Sequence, residues 1–195
     1  GGAVRWGATD DLRGPGAGVG GASSGPRAHR VSGEVPTLPR PAGAAAVAVT
    51  GVGLLGSHGD NAPRPMASIA KVMTALVVVT DHPLAPADQG EAVTVTAGDY
   101  ATYQTESAAG QSVVPVVVGE TLSERQLLDG LLIPSGNNYA DILARWDAGS
   151  TDAFVARMNR RATELGMKKA HYADASGFSP QTVATPADLI LAGEA

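Results

Sequence analysis

The sequence predicts a mixed α/β (α+β) fold, a helical subdomain joined to an antiparallel sheet, and three observations carry that prediction. Short apolar runs set off by Gly and Pro recur at 44–49, 52–56, 92–95 and 113–118, each of strand length. Longer stretches from Met66, Ser123 and Ser150 place apolar residues at helical spacing. The hydrophobic fraction is 44% and the charged fraction 17%, the balance of a chain that buries a core. At 195 residues there is surface for one substantial domain.

Residues 1–42 are rich in Gly, Pro, Ala and Ser, with Arg13, Arg27, Arg30 and Arg40 spread among them, and read as a flexible leader. The ordered domain is expected over 43–195. Ala44 to Val49, Thr50-Gly51 and Val52 to Gly56 predict two short antiparallel strands and a tight turn. From Met66 to Thr80 no Gly or Pro interrupts, and apolar residues cover nearly every face, which predicts a buried helix. Residues 81–120 look irregular, with strands at 92–95 and 113–118. Ser123 as cap, Gln126 three residues on and Leu122 opposite Leu127 mark a helix that Pro134 ends. Further helices are expected from Asn138 to Trp146, from Ser150 to a stop at Gly166, and from Thr185-Pro186 onward.

A formal net charge of -5 and a pI near 5.3 give no broad cationic surface for phosphates, so nucleic acid is not an expected partner. The chain has no cysteine, which removes thiolate nucleophiles, thiolate metal sites and disulfides. His29, His58, His82 and His171 lack the helical spacing of a metal pair, and no cofactor is implied. The longest apolar runs are too short to cross a bilayer.

The chemistry concentrates at Ser68-Ile69-Ala70-Lys71. At a helix start this spacing sets a hydroxyl and an ammonium one turn apart on one face. A serine becomes nucleophilic when a base takes its proton, and a lysine serves as that base when burial favours its neutral form. So short a pattern is more often a pair of helix-surface residues. Here, however, Lys71, Lys168 and Lys169 are the only lysines, and Lys71 sits in the most apolar helix. Ser135-Gly136-Asn137 then falls in a loop between two predicted helices, where a hydroxyl can relay a proton and an amide can hold Lys71 or a substrate carbonyl. Taken alone, that segment also reads as a helix junction with Asn137 or Asn138 as cap.

Ser68 to Ala75, Leu131 to Asn138, and Asp174 to Pro180 with Thr185 to Leu189 resemble successive blocks of the low-molecular-mass D-alanyl-D-alanine carboxypeptidases, members of the penicillin-binding protein and serine β-lactamase superfamily. The resemblance covers roughly 44–195. It implies a partial transpeptidase-like domain in which Ser68 attacks the penultimate D-Ala carbonyl of a peptidoglycan pentapeptide, with Lys71 as base. It further implies that Ser135 relays a proton to the leaving amine, that Asn137 orients the substrate amide, that the Ser68 N–H is one oxyanion donor, and that β-lactams acylate the same serine. His171 and the 174–177 segment read more simply as surface packing and a turn. Such a protein works outside the cytoplasm, in the cell envelope, with any membrane anchor outside this chain.

No Lys-Thr-Gly, Lys-Ser-Gly or His-Thr-Gly follows Asn137, so the third motif of the family and its C-terminal strands are expected beyond Ala195. Two other readings stand beside the carboxypeptidase. A class A β-lactamase shares two motifs, but Ser-Gly-Asn replaces its usual Ser-Asp-Asn and no Glu-x-x-Leu-Asn follows. A non-catalytic module that binds cell-wall peptide is the third.

Overall fold

The computed structural model describes residues 43–195, so the expected leader over 1–42 lies outside the described residues. The first hairpin forms as predicted, with β1 (Ala45–Val49) antiparallel to β2 (Gly53–His58) and a register shift between Val47 and Ala48. Ala46 and Ala48 turn towards the helices, whereas Val47, Val49, Leu54 and Leu55 are exposed.

Next come β3 (Arg64–Pro65), a single 3-10 turn over Ala67–Ile69, and α1 (Ala70–Asp81). The buried face of α1 is Ala70, Lys71, Met73, Thr74, Val77 and Val78, at the spacing of one helical stripe. Ile69, Val72 and Val79 are exposed, so the expectation of burial on nearly every side fails. Among the described residues α1 packs on the helices over Glu124–Leu132, Asn137–Ala148, Thr151–Glu164 and Pro186–Gly193, which cover one side of it.

The stretch 81–120 is more ordered than its composition suggests. β4 (Ala92–Thr94) is followed by α2 (Ala97–Ala108), and β5 (Thr121–Ser123) pairs antiparallel with β4. Helix α2 begins at a full capping box in which Thr96 accepts from the Asp99 N–H and Asp99 accepts from the Thr96 N–H. Residues 113–117 carry no regular secondary structure and Val118 opens a turn, so the expected strand does not form. The Asn138 side chain takes the partner's place, accepting from the Val114 N–H at 2.9 Å and donating to the Val114 carbonyl at 2.8 Å. Pro115 has no N–H to offer a ladder in any case.

α3 (Glu124–Leu132) carries the predicted Ser123 and Gln126 capping box and buries Leu127, Leu128 and Leu131. α4 (Asn137–Ala148) is the central element, touching α1, α2, α3 and α5. Its Tyr139 ring lies over Gly130 of α3, where a Cβ would come within 2.3 Å of the ring. α5 (Thr151–Glu164) is capped by Ser150 and buries Phe154, Met158 and Ala162. β6 (Val183–Ala184) pairs with β3, and α6 (Pro186–Gly193) starts at the Thr185 and Asp188 capping box with Pro at its first turn. The core is thus a helical cluster around α4, fringed by three two-stranded antiparallel sheets among the described residues.

Candidate active site

Ser68 lies in the 3-10 turn that leads into α1, exposed at the surface, and no side chain caps either that turn or α1. The Ile69 and Ala70 N–H groups that follow Ser68 donate to the Met66 and Ala67 carbonyls, and the positive end of the helix dipole lies beside Ser68. Lys71 is one turn on, and only 2% of it is exposed. Its Nζ donates to Ser68 Oγ at 3.2 Å, to Asn137 Oδ1 at 2.6 Å and to the Ser176 carbonyl at 2.8 Å. All three of these acceptors are uncharged. Burial pulls the Lys71 pKa below the ordinary lysine value, and the charges of Asp174, Glu106 and Asp141 oppose that shift without cancelling it.

Ser135 closes the third side, its Oγ donating to Ser68 Oγ at 2.9 Å. It sits in the turn after α3, at φ 62, and Ala67 beside Ser68 is at φ 49. These are the non-glycine residues of positive φ among the described residues, each a conformation that costs on the order of 1 kcal/mol. Gly136 fits where a Cβ would meet the Gly130 carbonyl and Val114 Cγ2 at 2.9 Å, and its N–H donates to Gly130 O. Asn137 then opens α4 with its side chain turned inward. Its Oδ1 accepts from Lys71 and its Nδ2 donates to Gln111 Oε1 at 2.7 Å. The N-cap of α4 is Gly136, so neither Asn137 nor Asn138 caps the helix.

The 174–177 segment does more than turn. Asp174 Oδ2 accepts from Ser176 Oγ at 2.8 Å and the Phe178 N–H at 2.8 Å, while Asp174 Oδ1 accepts from Thr182 Oγ1. Burial acts to raise the Asp174 carboxyl, but these hydrogen bonds outweigh it and hold the pKa below the ordinary range. The turn they fix presents two carbonyls to α1, Ser176 to Lys71 and Ala175 to Thr74 Oγ1 at 2.6 Å. Gly177, at φ 81, presses on the Ala67 carbonyl so closely that a Cβ would lie 1.8 Å from that oxygen. Thus all four residues expected from sequence, Ser68, Lys71, Ser135 and Asn137, meet at one point. Gln111, Asp174 and the Ser176 carbonyl join them unforeseen. His171 stands apart, pairing through its backbone with Val183.

Chemically, the arrangement gives one serine oxygen two neighbours, a buried amine and a second hydroxyl. Lys71 Nζ and Ser135 Oγ both lie within hydrogen-bond reach of Ser68 Oγ, the geometry that proton transfer from a serine hydroxyl requires.

Residues 43–195 match the family described as D-alanyl-D-alanine carboxypeptidase. The chain belongs to that family. D-alanyl-D-alanine carboxypeptidase DacB2 of Mycobacterium tuberculosis is 35% identical over 125 residues, which cover 64% of this chain and 38% of the relative. A D-alanyl-D-alanine endopeptidase of Pseudomonas aeruginosa is 36% identical over 126 residues, 64% of this chain and 37% of the relative. Among solved structures, a D-alanyl-D-alanine carboxypeptidase of Mycobacterium tuberculosis superposes with a TM-score of 0.66 at 29% identity, over 82% of this chain and 58% of that one. Penicillin binding protein 6B of Escherichia coli superposes with a TM-score of 0.67 at 28% identity, over 84% of this chain and 53% of that one. The chain therefore spans less than two-fifths of the length of these curated relatives and somewhat over half of the solved ones. The fold is the mixed helix and antiparallel sheet arrangement of these peptidases.

Proposed function

We propose that this chain carries the acylating half of a serine D-alanyl-D-alanine carboxypeptidase that trims peptidoglycan stem peptides. The observation that carries the reading is Lys71, a buried amine held by neutral acceptors and in contact with Ser68 Oγ. Burying an ammonium without a paired carboxylate is costly, and a base that must be neutral to work accounts for that cost.

In the proposed reaction Ser68 Oγ bonds to the carbonyl carbon of the penultimate D-Ala as its proton passes to Lys71 Nζ. The tetrahedral oxyanion sits by the Ser68 N–H at the helix start. The C–N bond then breaks, and the terminal D-Ala amine takes a proton through Ser135 Oγ. Water attacks the resulting ester and restores Ser68. Asn137 orients Lys71 and lies beside the path of the substrate amide. β-Lactams acylate the same oxygen through their cyclic amide. The substrate is a cell-wall peptide, which places the protein's work outside the cytoplasmic membrane. No helix among the described residues is long and apolar enough to cross a membrane.

The test is incubation with a fluorescent penicillin, followed by mass mapping of the adduct. The expected adduct is on Ser68, and Lys71→Ala removes it while the far-UV spectrum stays native. A folded protein with no adduct would leave the non-catalytic peptide-binding module in place of the enzyme, and rapid drug turnover would favour the β-lactamase.

A further inference from the structure

Behind Lys71 the hydrogen-bonded chain does not end at Asn137. Asn137 Nδ2 donates to Gln111 Oε1, and the Gln111 N–H donates to the backbone carbonyl of Glu106 in the last turn of α2. The Glu106 carboxyl is turned inward there, and its Oε2 is buried with no hydrogen-bond partner. Asp141 sits one turn beyond Asn137 on α4 and lines a cleft of about 290 Å³ with Asp99, Thr102 and Arg145. The groups whose charges act on Glu106 are Asp141 from α4, Lys71 from α1 and Asp174 from the 174–177 turn. Those acting on Asp141 are Asp174, Asp99 and Lys71, and Asp99 is itself paired with Arg145.

A carboxyl oxygen buried without a hydrogen-bond partner, on a side chain otherwise half-buried, is an energetic liability unless its charge does something nearby. We propose that Glu106 is a positioning residue for the base, its carboxyl governing by its charge how readily Lys71 gives up a proton. Burial first, then Asp141 and Asp174, push Glu106 up to about 7, and burial with Asp174 and Asp99 pushes Asp141 up to about 6. Below those values both carboxyls are neutral, and burial and the Asp174 charge are what bear on Lys71. Above them, the negative charge favours the ammonium and holds the proton on Lys71. The sign is therefore fixed: removing the Glu106 charge lowers the Lys71 pKa.

The consequence for acylation rests on Lys71 being the proposed base, whereas the coupling itself is a property of the chain. Both are tested together. With only three lysines, Lys71 is resolved in the NMR spectrum of protein labelled at lysine Cε, and its titration midpoint is read directly. Glu106→Gln is expected to lower that midpoint by about one pH unit, and Asp141→Asn to lower it by less; Glu106→Asp is expected to keep it near the native value. The rising limb of penicillin acylation against pH shifts down by the same amount, about tenfold in rate at a fixed pH on that limb. A Lys71 midpoint unmoved in Glu106→Gln overturns the inference, whatever Asp141→Asn does and even where the wild type acylates normally. A shifted midpoint in a protein that never forms the Ser68 adduct upholds it and overturns the catalytic reading instead.

Discussion

Replacing Gly177 by alanine tests how Ser68 is seated. At φ 81 an L-residue is strained by about 1–2 kcal/mol. The new Cβ would also stand 1.8 Å from the Ala67 carbonyl oxygen, 2.6 Å from its carbon and 2.9 Å from Ala70 Cβ, so one backbone segment must retreat by about 1.5 Å. Overpacking of that kind costs about 1–3 kcal/mol, giving a total of about 2–5 kcal/mol. Gly110→Ala is the matched control, because Gly110 has φ 71 and nothing within 4 Å of its Cβ position, leaving the backbone strain alone. Urea unfolding followed by far-UV circular dichroism separates the two. With a slope of about 2 kcal/mol/M, Gly177→Ala lowers the midpoint by about 1–2.5 M and Gly110→Ala by no more than about 1 M. Since Ala67 immediately precedes Ser68, the same retreat displaces Ser68, and in the proposed reaction a shift of about 1 Å costs about a hundredfold in acylation rate. Equal midpoints and equal acylation rates for the two variants would refute the reasoning.

Two more outcomes follow from the polar contacts. Asp174 has its pKa held below the ordinary aspartate value of 3.8, so its contribution is present above that value and is lost as pH falls through the folded pKa. Asp174→Asn is expected to be less stable than wild type by about 1–3 kcal/mol at neutral pH, with the gap closing on acidification below about pH 4; a gap independent of pH in urea titrations would contradict this. Arg145 holds the buried Asp99 carboxylate through Nε at 2.9 Å and Nη2 at 2.8 Å, and Asp99 also caps α2. Arg145→Ala should destabilise by about 2 kcal/mol, with Arg145→Lys only partly restoring it, because one ammonium cannot reproduce the two-pronged contact; full recovery in the lysine variant would count against it.

Which features were legible in the sequence follows from how local their causes are. The caps at Ser123, Ser150 and Thr185 act within four residues, and each helix begins where its cap predicts. Thr96 and Asp99 form an equally local box, yet α2 went unread because Ala97 to Ala108 is polar, carries Gly98 and shows no apolar stripe. The strand expected at 113–118 had the right composition, but a strand exists only with a partner, and an asparagine side chain supplies one here instead. The pairing of Arg64–Pro65 with Val183–Ala184 has no local signature at all. At the site, Ser68, Lys71, Ser135 and Asn137 could be singled out because their residue types and spacings carry chemistry. Gln111 and the Ser176 carbonyl could not, since any glutamine and any peptide unit would read the same.

The two asparagines that open α4 explain why the fold and the site cannot be taken apart. Asn138 turns one way and satisfies both backbone groups of Val114, while the Asn137 N–H donates to the Ser112 carbonyl at 2.8 Å. Asn137 turns its side chain the other way, to Lys71 on α1 and Gln111 at the head of the same extended segment. One helix start therefore anchors 111–114 and positions the buried amine together. An aspartate at 137 would keep the shape but set a negative charge 2.6 Å from Lys71 Nζ, locking the proton onto that amine. A hydrophobic residue there would leave the amine with a buried acceptor missing and the Gln111 amide oxygen unpaired. A neutral amide meets both demands: its oxygen accepts from Lys71 without adding charge, and its nitrogen donates to Gln111.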